Sequence, residues 1–540
     1  MKHLLICRLA LVCLLFPVVT SAVNREVKYP TYTLRNTETL EIEKIVVTDT
    51  VTVLSVDAYS RPNYWVALSS RTILKGKETG KTYRLLRSDG FALDSRVVMP
   101  ESGNVSFTLY FEPLDNEEQQ LDFIEGESPN DFRIEGLSFT PPSQGNKIDT
   151  HLKGVLVDRP QTSRLMILAS GKDPRTSSWV SIPVREGKFD YHFYTNEEKA
   201  YSLICWDDFL SGSMPNCVFF SESGTVDFTL YPSEHNPFCE IKTINPLTQE
   251  YQNFRQLEKK TFLSETEAQN KRYEQLEADS CFYTKAYNDF WKRFEKETDS
   301  FKRDKLFAER DSLEATDAFY TPQAIQWKKE YRELDSRIDK WRWAYFDAHP
   351  SVVGLYWIQQ SVCYNPEKEG AEKLFISRYE SLFPNHSSAK EIRMMIDGLK
   401  LLPGAKYLEV TAPDLQGREV NVNTYIRGKV ALVDLWASWC GPCRRRAIGM
   451  IPVYEKYKEK GFTIIGIARE QGSSAAMEAA IRKDGYPWLN LIELNDKNYI
   501  WMRHHLSNAA GGTFLIDKDG TILAVDPEPE EVERILQTKL

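Results

Sequence analysis

Two thiols in this 540-residue chain stand at a spacing that does chemistry: Cys440 and Cys443, in the run Cys440-Gly441-Pro442-Cys443. Cysteines at i and i+3 in a first helical turn approach closely enough to close a disulfide. The helix N-terminus adds free N–H groups and a positive dipole end, which favour a thiolate. Pro442 suits a first turn, where its missing N–H has no helical partner. Arg444, Arg445 and Arg446 follow and supply positive potential, although spacing does not say which of them faces a sulfur. The competing chemistry for a CxxC is half of a zinc site, which needs a second ligand pair. Cys205, Cys217, Cys239, Cys281 and Cys363 form none, and His504 and His505 are adjacent rather than spaced. Redox chemistry is therefore expected, with no metal and no cofactor. The sequence holds no P-loop, GxGxxG or HExxH motif.

Such a pair must be held by a strand that hands over to a helix. Residues 429–436 are a nearly continuous apolar run, as for a parallel strand buried on both faces. A helix is expected over about 441–460, stopping at Gly461. A second buried strand over 462–468 completes a βαβ unit. A helix over about 473–484 leads to a hairpin, 513–517 and 521–525, turning at Lys518-Asp519-Gly520. A last helix over 529–539 closes an α/β domain with a mixed sheet, residues 401–540.

The segment VALVDLWASWCGPC, residues 430–443, resembles the active-site strand of thioredoxin, and the TFLID…DG hairpin of 513–520 is similar to the TlpA/ResA group of extracytoplasmic thioredoxin-like proteins. More loosely, the whole arrangement resembles multidomain members of that group in Bacteroidetes-type bacteria. The resemblance implies that Cys440 is the exposed attacking thiolate and Cys443 the buried resolving thiol. It also implies that Asp434 manages the Cys443 proton, where the alternative is a hydrogen-bonded structural aspartate. Trp436 and Trp439 match the tryptophans framing the site, Trp436 as core and Trp439 as a flat rest for substrates. Two positions depart from the group. Gly511, followed by Gly512, stands where the family has a cis-proline. A cis bond before a non-proline residue costs about 2.5–4 kcal/mol, so a differently shaped loop is expected. Arg446 and Ile448 stand where relatives carry an acid and a proline, which leaves Asp434 as the expected sole local base.

The rest of the chain divides by composition. Residues 1–22 carry Lys2, Arg8, a short apolar stretch and Thr20-Ser21-Ala22, the pattern of a secretory signal. Residues 23–140 and 148–240 read as two β-sandwich-like domains joined at Pro141–Asn146. ESGNVSFTLY at 101–110 returns as ESGTVDFTLY at 222–231, and each copy is expected to end its β block. Residues 246–400 read as a helical region with a tryptophan-rich face (Trp291, Trp327, Trp341, Trp343, Trp357). Cys217 has two candidate disulfide partners, Cys205 and Cys239, and buried free thiols are the equal alternative. The formal charge of −9 carries no basic excess and excludes a nucleic-acid partner. The favoured function is an exported, periplasmic or envelope thiol–disulfide oxidoreductase, soluble after signal cleavage. It reduces protein or small-molecule disulfides and is recharged by a membrane electron donor. The alternatives are a dithiol oxidase or isomerase on the same fold, or an envelope binding protein whose thioredoxin domain is vestigial or redox-sensing. A thiol peroxidase is less favoured.

Overall fold

The computed structural model describes residues 23–128, 131–141, 148–174, 177–366, 370–506 and 510–540. The signal expected at 1–22 and the linker residues 142–146 lie outside them. The chain forms two compact units, residues 1–146 and 147–540.

The first unit is built on one nine-stranded antiparallel sheet that runs from Val23–Lys28 through Leu40–Thr48, Thr52–Tyr59 and Asn104–Phe111 to Leu34–Arg35. A single core takes Ile45, Leu54 and Leu109 from one half of the sheet and Leu74, Leu121 and Phe123 from the other. The sheet therefore wraps over its own apolar face, rather than forming the two separate sheets of a sandwich.

The second unit opens with a true sandwich. One sheet orders Lys188–Thr195, Ile148–Leu156, Gly224–Leu230 and Cys239–Thr243; the other orders Val180–Pro183, Arg164–Ala169, Ala200–Cys205 and Cys217–Phe220. Leu152, Phe193, Leu203, Phe219 and Phe228 interdigitate between them. The short helix Trp206–Ser211 interrupts what composition reads as wholly β.

The repeated decapeptides share local form but not neighbours. Gly103 and Gly224 both have positive φ and lead into strands. The first copy is antiparallel to both of its neighbours, whereas the second lies parallel to Ile148–Leu156. Neither copy ends its block. Strands at Gln120–Ile124 and Arg133–Ser138 follow the first, and Cys239–Thr243 follows the second. Glu101 is exposed, but its counterpart Glu222 is buried and accepts the N–H groups of Leu247 (2.8 Å) and Thr248 (3.0 Å). It thereby satisfies the open N-terminus of the 33-residue helix Pro246–Ala278.

That helix, Pro322–Ala348 and Val352–Tyr364 pack around Phe254, Trp343 and Phe346. Phe290, Phe294 and Phe319 form a second, separate cluster that Trp291 joins. The tryptophans thus do not share one face. Of the five, Trp343 alone is buried, because apolar spacing within one helix does not say which neighbour covers it.

Residues 401–540 close on a five-stranded sheet ordered Leu489–Leu494, Phe462–Glu470, Val430–Trp436, Gly512–Ile516, Ile522–Val525. The first three strands are parallel and the last two antiparallel. Every residue of Val430–Trp436 is buried, as its unbroken apolar run requires. The longer helices are Gly441–Tyr457, extended by a short 3₁₀ turn to Lys460, then Ala475–Asp484 and Pro529–Lys539. Gly449 lies where an added Cβ would stand 3.2 Å from Pro529, so the first and last of these helices pack closely. Strand Leu489–Leu494 is absent from the sequence reading. Among the described residues no helix is long and apolar enough to cross a membrane.

Cys217 bonds Cys239, joining the edge strands of the two sandwich sheets, while Cys205 stays buried as a free thiol. Closing a loop of 22 residues removes about 3 kcal/mol of unfolded-state entropy. Replacing both Cys217 and Cys239 by Ser is expected to lower the stability of the sandwich by about that amount. Hydrogen-exchange protection of strands 217–220 and 239–243 would measure the loss.

Candidate active site

The strand Val430–Trp436 ends in a tight turn, Cys440 N–H donating to Ala437 O at 3.0 Å. The turn is pinned by Glu470, whose buried carboxylate accepts the Ser438 N–H (2.7 Å) and hydroxyl (2.8 Å). Cys440 is the N-cap of the next helix, and its Sγ accepts the N–H of Cys443 at 3.3 Å. The two sulfurs form a disulfide across the first turn, with Pro442 beside it in the helix's opening positions.

Both sulfur-bearing residues are buried, Cys440 at 2 % exposure and Cys443 at 6 %. The expected exposed position of Cys440 is therefore corrected. In the closed disulfide its Sγ is turned inward over the helix N-terminus, and Trp439, 45 % exposed, takes the outward position. Trp439 rests against Trp501 with ring centroids 5.8 Å apart, whereas Trp436 is fully buried against Tyr486.

Gly511 meets the pair from the opposite side. Its N–H donates to Cys443 Sγ at 3.3 Å, a bond that a proline at this position has no hydrogen to make. A Cβ on Gly511 would fall 1.8 Å from Leu435 O and 3.2 Å from Cys443 Sγ. The residue is thus glycine because two backbones and a sulfur meet there. Among the described residues the one cis peptide bond is Asn236–Pro237, far from this loop in sequence.

Two of the three arginines are spoken for. Arg444 forms a two-pronged ion pair with Asp484, both contacts at 2.7 Å, and donates to Ser438 O. Arg446 pairs with Asp526 at 2.8 Å, and Asp526 also accepts the Thr513 N–H. These contacts tie the helix to neighbouring segments and spend the positive charge on carboxylates. Burial holds the Asp434 carboxyl at about 7, with the Arg446 charge pulling it down and Asp526 pushing it up. Asp526 and Glu470 are thus further acids near the site, and Asp434 is not alone. His504 is a structural residue, held between Tyr407 Oη (2.8 Å) and Ile500 O (2.7 Å), and burial lowers its imidazole to about 4.

Three relatives of stated similarity accompany this geometry. Residues 403–525 match the AhpC/TSA family model. The C-terminal region is a thioredoxin-like domain. Thiol-disulfide oxidoreductase ResA of Bacillus cereus is 27 % identical over 144 residues, 26 % of this chain and 80 % of that protein. ResA of Bacillus thuringiensis (strain Al Hakam) is 28 % identical over 127 residues, 24 % and 70 % of the two chains. The crystal structure of the thioredoxin domain of a Bacteroides vulgatus thiol-disulfide oxidoreductase is 25 % identical, covering 26 % of this chain and 98 % of that one, with a TM-score of 0.24. With a cysteine pair closed on the first turn of its helix, the thioredoxin-like domain is a thiol–disulfide oxidoreductase.

A cavity of about 550 Å³, which the sequence does not announce, borders the thioredoxin-like domain. Trp501 and Leu506 line it from this domain, Cys363 and Glu391 from the helical region, and Lys172 and Met214 from the sandwich. Trp501 links it to Trp439 beside the disulfide. Glu391, buried, accepts from Gln359 (2.7 Å) and pairs with Lys172 (3.3 Å) and Lys199 (3.6 Å). These residues lie between 49 and 268 positions from the CxxC run, so only tertiary packing brings them together.

Two outcomes follow. Gly511→Ala is expected to destabilise the domain by about 2 kcal/mol or more, because the clash is with backbone. Differential scanning calorimetry of the variant beside the parent chain would show it. For Asp434, the folded state holds its proton up to about 7, against about 4 for an unfolded aspartate. Stability is therefore lost as pH rises from about 4 through 7, by up to about 4 kcal/mol. Asp434→Asn is expected to stabilise the domain more at pH 8 than at pH 5, measured by hydrogen exchange of strand 430–436.

Proposed function

We propose that the thioredoxin-like domain is an extracytoplasmic disulfide reductase acting on protein disulfides, with Cys440 as nucleophile and Cys443 as resolving thiol. The observation that carries this reading is the Cys440–Cys443 disulfide on a helix N-terminus, with the Cys443 N–H donated to Cys440 Sγ. That hydrogen bond and the helix dipole favour the Cys440 thiolate once the pair is reduced. Arg444 and Arg446 are neutralised by Asp484 and Asp526, so the backbone N–H and the helix dipole, with the Arg445 guanidinium near Gly441, supply that stabilisation.

In the forward reaction Cys440 S⁻ attacks one sulfur of the substrate disulfide. A Cys440–substrate bond forms, the substrate S–S bond breaks, and the departing thiolate takes a proton. Cys443 then loses its proton and attacks Cys440 Sγ, which releases the second substrate thiol and closes the pair. The substrate gains two electrons and the domain loses two, to be restored by an electron donor at the membrane. Asp434, poised at about 7, is suited to accept the Cys443 proton, and Gly511 N–H stabilises the resulting sulfur anion. Trp439 offers substrates an exposed aromatic surface beside the pair. The leader at 1–22 supports export of the chain to the periplasm or envelope.

Cys440→Ser is expected to abolish turnover of a model disulfide, while Cys443→Ser accumulates mixed disulfides that resist resolution. Full activity of Cys440→Ser would remove the proposal. Alkylation and mass spectrometry across a graded dithiol buffer would fix the direction. A potential near that of thioredoxin, about −270 mV, marks a reductase, and one near −120 mV an oxidant.

A further inference from the structure

Two short sequences, Asp149-Thr150-His151 and Asp190-Tyr191-His192, repeat an Asp-x-His spacing on different strands of the sandwich. The strands are antiparallel neighbours, and their register sets His151 directly opposite His192, Asp149 opposite Tyr194 and Lys153 opposite Asp190. Side chains alternate along a strand, so Leu152, Phe189 and Phe193 point into the core. Asp149, His151, Asp190 and His192 share the outer face. The two imidazoles stack with centroids 4.5 Å apart and planes within 3°. His151 Nε2 stands 3.0 Å from Asp190 Oδ1. One nitrogen of each ring and one Asp190 oxygen all lie within 4.8 Å of one another.

We propose that His151, His192 and Asp190 form a binding site for one divalent transition-metal ion of the zinc and copper class, with water completing the coordination. Imidazole nitrogens with a carboxylate oxygen suit these ions. Bonds of 2.0–2.1 Å in a tetrahedron place ligand atoms about 3.3 Å apart, close to the present spacing of His151 and Asp190. Imidazole lone pairs lie in the ring plane, so the two parallel rings must tilt out of their stack to converge on one ion, a rotation open to side chains on this solvent-facing surface.

The surroundings match what a metal-bound histidine requires. Such a ligand is oriented through its other nitrogen. His192 Nδ1 contacts both Asp149 oxygens, at 2.9 and 3.1 Å, and His151 Nδ1 faces Thr225 Oγ1 at 3.4 Å. Each ring therefore has Nε2 to offer. Lys153, the nearest cation along the strand, is paired with Asp227 at 3.2 Å, leaving Asp190 to the histidines. Asp149 is a positioning residue here, acting on the ion through His192. The site belongs to the sandwich and does not depend on the redox pair.

The test is calorimetric titration of Zn²⁺ into the full chain with its disulfides closed, repeated in the Cys440→Ser/Cys443→Ser background. Co²⁺ serves as a spectroscopic probe, since thiolate ligation would announce itself by sulfur-to-cobalt charge transfer. The expected result is one saturable Zn²⁺ per chain in both backgrounds and a Co²⁺ spectrum without thiolate bands. His192→Gln is expected to weaken binding by well over tenfold, and Asp149→Asn by about tenfold. Far-UV circular dichroism and an intact Cys217–Cys239 bond would confirm that the variants are folded. No saturable binding, unchanged affinity in His192→Gln, or thiolate bands in the Co²⁺ spectrum would each overturn the proposal.

Discussion

The meeting of the Gly511 backbone with Leu435 O and Cys443 Sγ constrains the site more than any other contact. The segment before strand Gly512–Ile516 runs so close to the end of Val430–Trp436 that no side chain fits between them. That closeness lets a main-chain N–H reach Cys443 Sγ, and it goes with a disulfide that is almost wholly buried. Where the resemblance to the TlpA/ResA group leads one to expect a proline without an N–H, this chain supplies a donor.

Charge around the pair is distributed by pairing rather than by accumulation. Three consecutive arginines after the CxxC suggest a strongly positive site. Asp484 and Asp526 instead draw Arg444 and Arg446 into ion pairs that fasten the helix. Asp434 is left in a buried environment where ionisation is costly, so its proton becomes available near neutrality. A carboxyl in that range can exchange protons with a thiol without a large mismatch.

The domains in front contribute more than a tether. Glu222 of the sandwich caps the long helix Pro246–Ala278, which couples the β and helical parts through two main-chain hydrogen bonds. The sandwich, the helices and the thioredoxin-like domain then enclose a cavity next to the Trp439–Trp501 pair. The outer sandwich face carries a second constellation, the crossed Asp-x-His pairs, whose chemistry is distinct from thiol exchange.

Most of what the sequence by itself determined is local. The CxxC spacing, the apolar run of 430–436, the terminating Gly461 and the 529–539 helix are each legible, because i→i+3 proximity, strand burial and helix caps depend on neighbours within a few residues. Strand Leu489–Leu494 is not legible. Its short Leu-Asn-Leu-Ile-Glu-Leu pattern becomes a strand by pairing with Phe462–Glu470, a contact that local propensity does not encode. The same reason hides the choice of Cys239 over Cys205 for Cys217, the pairing of the arginines, the cavity, and the register that sets His151 against His192. For Gly511 the sequence showed a departure from the family. Only the fold, by bringing a carbonyl and a sulfur within contact of its α-carbon, supplied the physical reason for it.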